Sequence, residues 1–180
     1  MNPASNLILV GPMGAGKSSI GKRLARRFGL AFVDVDEAIE AQTGARIPVI
    51  FELEGEAGFR RRESELLAEL CAGRDQLIAT GGGAVLSEAN RSLLSRSGFV
   101  VWLRTGVERQ LDRLAQDRCR PLLQVPDRER RLRAMAAERD PLYRAVCDLA
   151  FDSDQRRVSV AAERLAGLLA GHWQRDAHAA

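Results

Sequence analysis

Eight residues near the N-terminus, Gly11-Pro12-Met13-Gly14-Ala15-Gly16-Lys17-Ser18, have the types and spacing that hold a polyphosphate. Glycines at positions 11, 14 and 16 allow backbone conformations closed to other residues, so successive N–H groups can converge on one anion. Lys17 is placed to reach β- and γ-phosphates, and the Ser18 hydroxyl to ligate Mg²⁺. Such a loop needs a strand before it and a helix after it. Leu7 to Val10 is a short apolar run without helical period, and Ile20, Leu24 and Phe28 recur at helical spacing. The positive end of that helix would face the anion. Nucleotide binding follows from this pattern, but the substrate does not, because switches, motors and small-molecule kinases share the loop.

Three further clusters could do chemistry. Asp34 and Asp36 follow the apolar run Ala31-Phe32-Val33, and open α/β sheets bind ligands beyond the carboxyl ends of their strands. Two residues apart, they would share one side of an extended chain. Their competing use is to cap a helix beginning at Glu37, with Asp36 as a cap residue. Gly81, Gly82 and Gly83 follow the apolar run Leu77-Ile78-Ala79, as close backbone approach to a ligand requires. Glu63 lies one helical turn after Arg60 and can brace it.

The elements that would position these groups alternate along the chain. Strands are predicted at 7–10, 31–33, 77–79, 99–103 and 149–151. Helices are predicted at 17–28, closed by Gly29, and at 37–43, broken by Gly44. Others cover 56–71, 107–115, 128–138 and 158–169, with a separate one starting at Pro141. A short apolar segment begins at Ile47, and Ser87 caps a helix running to about Ser95. Residues 116–127, with Arg118, Arg120, Pro121 and Pro126, lose apolar periodicity and are expected to form a mobile surface flap. The tail from Gly171 is expected to fray. Alternating strands and helices imply an α/β fold, a parallel sheet with helices on both faces.

At 180 residues the chain is long enough for one such domain with a sizeable core. No apolar run approaches the length that crosses a bilayer, and the start lacks a signal peptide's pattern, so a cytoplasmic location is expected. Cys71, Cys119 and Cys147 are widely spaced, and only His172 and His178 could join them, which disfavours a disulfide framework or a zinc site. The net charge is +3, and arginine supplies every positive charge except Lys17 and Lys22. That weak excess, interleaved with acids, is a poor nucleic-acid footprint, and no nucleic-acid or membrane partner is expected.

Taken together, GPMGAGKSS (Gly11 to Ser19), FVDVD (Phe32 to Asp36), the GE..FR..E pattern (Gly55 to Glu63), TGGG (Thr80 to Gly83), RPLL (Arg120 to Leu123) and R.PLY (Arg139 to Tyr143) resemble the shikimate kinases. These are small members of the nucleoside monophosphate kinase-like P-loop proteins. The resemblance implies ATP-dependent phosphorylation of the 3-hydroxyl of shikimate, a step toward chorismate and the aromatic amino acids. It implies a three-layer α/β/α fold with a five-stranded parallel sheet, a substrate-binding region at about 34–63 and a mobile lid at about 116–127. ATP with Mg²⁺, shikimate and a monomeric chain are its expected partners and state.

Residue by residue, the resemblance places ATP at Gly14, Ala15, Gly16, Lys17, Ser18 and Ser19. Arg113 matches a position against the adenine and Gln155 one that approaches it. Ser18 and Asp34 match the magnesium side. Asp36 matches the aspartate that contacts the ring hydroxyls and can take the proton of the attacking one. Arg60 and Arg139 match the pair that binds the substrate carboxylate, a task for which arginine's planar fork is suited. Gly82 and Gly83 match backbone contacts to substrate. Arg120 matches the lid arginine, acting with Lys17 on charge developing at the transferred phosphoryl group. Val35, between the two aspartates, departs from a common small polar residue, and its side chain should point away from both carboxylates. The related alternatives are a kinase of another polyol acid such as gluconate, and a P-loop ATPase or switch without an acceptor site.

Overall fold

The computed structural model describes residues 5–117, 120–154 and 157–174. Strand β1 (Leu7–Val10) is buried at every position and occupies the centre of a five-stranded sheet. Its companions are β2 (Ala31–Asp34), β3 (Gln76–Ala79), β4 (Phe99–Arg104) and β5 (Leu149–Asp152). The order is β2-β3-β1-β4-β5 and every pairing is parallel, with Leu7 opposite Leu77 on one side and Phe99 on the other. Both faces are covered, which is why β1 reads as an unbroken apolar run instead of an alternation.

The pleat divides those four residues between two cores. Leu7 and Leu9 pack with α1 (Lys17–Phe28) and α7 (Val158–His172), through residues such as Leu24, Leu165 and Leu169. Ile8 and Val10 face the other layer, with Ile39, Leu67, Leu94 and Tyr143. That layer is built from α2 (Val35–Thr43), α3 (Ile47–Ala72), α4 (Glu88–Ser97) and α6 (Arg128–Val146). Helix α5 (Val107–Leu114) packs on α6, and a smaller cluster of Met13, Leu114, Leu123, Leu132 and Met135 fills the space between them. No described helix is long and apolar enough to cross a membrane.

The strands, α1 and the Ser87 cap of α4, whose hydroxyl accepts from Asn90 N, stand close to the expected positions. Several local expectations are corrected. The apolar segment at Ile47 is itself helical, and Gly55, whose φ of 69° and ψ of 179° are not helical, divides it within α3 from the helix that begins at Glu56 as expected. Only glycine takes that corner without strain. Helix α6 runs straight through Pro141, so 128–138 and the segment from Pro141 are one helix. The predicted fray at Gly171 does not occur within the described residues: α7 reaches His172, and Trp173 is buried against Phe28 and Phe99. The segment 116–127 is not purely a surface loop either. It contains a 3₁₀ turn at Pro121–Leu123, and Leu123 is anchored in the small cluster. Arg118 and Cys119 lie outside the described residues.

Candidate active site

A parallel sheet presents all its carboxyl ends at one edge, and the chain's reactive residues gather there. The loop between β1 and α1 ends at Gly16, which offers no side-chain cap, so the N–H groups of the first turn at Lys17, Ser18 and Ser19 remain available to an anion. Lys17 folds back over this loop, its Nζ donating to Gly11 O at 2.8 Å and Pro12 O at 2.9 Å. Burial, helped by the charge of Arg120, lowers its pKa to about 8 against the opposing pull of Asp36. Arg113 donates to Gly14 O at 2.7 Å and to Ser153 O at 2.9 Å, stitching the phosphate loop to the chain after β5. Gln155 lies outside the described residues.

Asp34 and Asp36 do not share an extended chain. The strand ends at Asp34, which is itself the N-cap of α2, its Oδ1 accepting from Asp36 N at 3.0 Å and Glu37 N at 3.3 Å. The capping role, the competing use of this pair, therefore falls to Asp34, which leaves the Asp36 carboxylate free of it. Asp34 Oδ2 accepts from the Ser18 hydroxyl at 2.5 Å, joining the two candidate metal ligands. Val35, fully buried, turns into the core as expected.

Across from Asp36 stands a cavity of about 210 Å³, lined among others by Asp36, Arg60, Gly82, Gly83, Arg120 and Arg139. Arg60 Nη1 donates to Glu63 Oε2 at 2.7 Å and Nη2 to Glu56 Oε1 at 3.1 Å. Glu63 is fully buried, and that burial raises its carboxyl pKa against the opposing pull of Arg60. Asp36 is likewise raised, first by burial and then by Asp34, while Lys17, Arg120 and Arg60 pull it down. Arg139 is buried on α6, and its nearest carboxylate is the exposed Glu138 at 3.8 Å, too far for a strong pair. Burial and the charge of Arg60 hold its pKa below the ordinary arginine value.

Among the described residues, Asp36 Oδ1, Arg60 Nε, Glu63 Oε1 and Arg139 Nε are buried without a hydrogen-bond partner. Such atoms are costly to keep, and three of them belong to residues that line one cavity, Asp36, Arg60 and Arg139, with Glu63 behind Arg60, which marks a place built for a polar ligand. The glycine triplet makes room for them. A Cβ at Gly83 would stand 2.3 Å from Arg60 Nη2, and one at Gly81 would stand 2.2 Å from Glu63 Oε1. Gly83→Ala is expected to push the Arg60 guanidinium out of place. Acceptor KM should rise by roughly tenfold or more while ATP KM holds, and steady-state kinetics with each substrate varied would show it. An unchanged acceptor KM would mean that the guanidinium can shift without loss.

Arg120 borders the same cavity, paired with Asp117 at 2.9 Å, a neighbour at helical spacing that the sequence reading passed over. Glu40 was missed as well. Its Oε1 accepts from Ile47 N at 2.8 Å, at the start of α3, where the cap residue Arg46 makes no side-chain capping bond to the helix and instead donates from its Nε to Glu40 at 3.2 Å. It thereby fixes the helical piece that brings Ile47 and Phe51 to the cavity wall. No local sequence signal marks Glu40, because the bond joins two different helices.

Comparison with known proteins identifies the family of the chain. The family model described as shikimate kinase matches residues 13–169. A shikimate kinase from Stenotrophomonas maltophilia is 58% identical over 176 residues, covering 98% of both chains. A shikimate kinase from Acinetobacter baumannii, solved in complex with shikimate, superposes with a TM-score of 0.91 at 45% identity, over 94% of this chain and 95% of that one. A gluconokinase from Sinorhizobium meliloti shares the fold alone, at 18% identity and a TM-score of 0.53 over 94% of this chain and 97% of that one.

Proposed function

The chain belongs to the shikimate kinase family, and from that premise we propose that it transfers the γ-phosphoryl group of ATP to the 3-hydroxyl of shikimate. The observation that carries this reading is the cavity with unpaired donors on Arg60 and Arg139 and an unpaired oxygen on Asp36. A carboxylate on one side of a polyhydroxylated ring and a nucleophilic hydroxyl on the other would satisfy all three.

In the reaction, Asp36 accepts the proton of the attacking hydroxyl. A bond forms between that oxygen and the γ-phosphorus, the bond to the bridging oxygen breaks, and its electron pair leaves with ADP. The raised pKa of Asp36 makes it a stronger base for this purpose. Lys17 exchanges the two loop carbonyls for phosphate oxygens and, with Arg120, offsets charge as the phosphoryl group moves. Arg60 and Arg139 hold the acceptor's carboxylate, Glu63 fixes Arg60, and the segment around Arg120 acts as a lid. Ser18 and Asp34 fit a Mg²⁺ ion: both offer hard oxygens, and so sparse a protein donor set suits a cation that keeps water and phosphate ligands. Bound there, the ion would neutralise charge on the β- and γ-phosphates.

The test is ADP release from ATP and Mg²⁺ with shikimate, with gluconate as the parallel acceptor. Stimulation by shikimate alone is expected, and stimulation by gluconate with shikimate inert would overturn the assignment. A pH profile probes Lys17 within the same assay. In the free enzyme its proton leaves near pH 8, below the ordinary lysine value, so kcat/KM for ATP should fall as pH rises through about 8. The kcat profile should stay flat there, because bound phosphates hold the proton on. A kcat/KM that stays level well above that pH would remove Lys17 from the binding step.

A further inference from the structure

The three carbonyls of the glycine triplet are not held in the same way. Gly81 O accepts from Ala84 N at 3.2 Å and Gly83 O from Leu86 N at 3.0 Å, both within the local 3₁₀ turn. Gly82 O is instead bonded by the hydroxyl of Tyr143, from α6, 61 residues away in the chain. Glycine resists neither rotation of this peptide, so without that bond the Gly82–Gly83 unit is free to turn. A peptide is planar, with its C=O and N–H on opposite edges. Fixing Gly82 O therefore fixes the direction of Gly83 N–H at the cavity wall.

Tyr143 is itself held rigidly. It is buried, and its ring stacks on Trp102 with centroids 5.8 Å apart and planes at 28°. It also lies one helical turn after Arg139, whose guanidinium borders the phenol oxygen. One side chain thus touches both the backbone wall and the guanidinium of Arg139, whose Nε has no partner. Burial pushes the phenol pKa up, so the hydroxyl remains a donor at any working pH.

We propose that Tyr143 is a positioning residue for the acceptor, setting the Gly82–Gly83 peptide and seating Arg139 so that both meet the incoming shikimate. The inference rests on the activity proposed above. Its test is Tyr143→Phe, which keeps the ring and removes only the hydroxyl. The expected result is a shikimate KM raised about fivefold to tenfold, the cost of one buried hydrogen bond, with ATP KM and kcat unchanged. Trp102→Phe is the companion variant, since it disturbs the same aromatic stack but leaves the Tyr143 hydroxyl in place. It should lower the melting temperature while moving the shikimate KM much less than Tyr143→Phe does. A shikimate KM unchanged in Tyr143→Phe, or raised equally in Trp102→Phe, would overturn the proposal. Wild-type protein indifferent to shikimate would overturn the activity itself, and is read in the same assay.

Discussion

Lys17→Met is expected to lower kcat by roughly a thousandfold and to leave the protein at least as stable as before. The two halves of this result have one cause. Lys17 brings a full charge to the place where negative charge moves, and it is held there by carbonyls that any phosphate can displace. The same burial depresses its pKa to about 8, so its protonated form is disfavoured in the folded chain relative to the unfolded one. Between that pH and the ordinary lysine value of 10.5 the unfolded chain binds more protons, and wild-type stability gains from this group as pH rises. Methionine retains the aliphatic stem and removes the charge, so the variant should lose that pH-dependent gain together with its turnover. Thermal melts across alkaline pH, set beside single-turnover rates, check both. Near-normal kcat would contradict the assigned role.

Arg60→Ala should raise shikimate KM by roughly 2–4 kcal/mol, with a much smaller effect on ATP KM. It should also destabilise the fold, because Glu63 would remain fully buried without the partner that now donates to it at 2.7 Å. Glu63 would then take up a proton more readily. A carboxyl whose folded pKa is raised contributes stability below its unfolded pKa and loses it as pH rises through the folded one. The variant should therefore melt lower at neutral than at mildly acidic pH, by a wider margin than the parent. Adding Glu63→Gln removes the stranded carboxylate, and the double variant should recover melting temperature without recovering KM. If both recover, Arg60 matters as a packing element and its contact with the acceptor is refuted.

The parts of this site that the sequence revealed are the local ones. The phosphate loop is contiguous, and Arg60 and Glu63 are separated by a single helical turn, so spacing alone predicts their contact. Asp34 and Asp36 were found as a pair but misplaced, because the strand ends one residue before the helix begins and the first aspartate serves as its cap. Pro141 reads as a helix start by its usual preference, yet tertiary packing carries α6 through it. What stayed hidden depends on distant chain segments. Arg113 bonds Gly14, 99 residues away, and Tyr143 bonds Gly82, 61 residues away. No window of sequence contains both partners of such a contact.

The central place of β1 has a consequence for how the chain is made. Its four apolar residues are synthesised before either of the strands that pair with them, β3, which ends at Ala79, and β4, which ends at Arg104. At ordinary ribosomal speed the interval between Val10 and Arg104 is roughly five to twenty seconds. For the greater part of it, until Ala79 completes β3, an uncharged, sheet-forming tetrapeptide has no native strand partner, the condition in which nascent chains associate wrongly. The strand that anchors the finished enzyme is thus its most exposed hazard during translation. The burial that makes Leu7 to Val10 indispensable on completion makes them sticky beforehand.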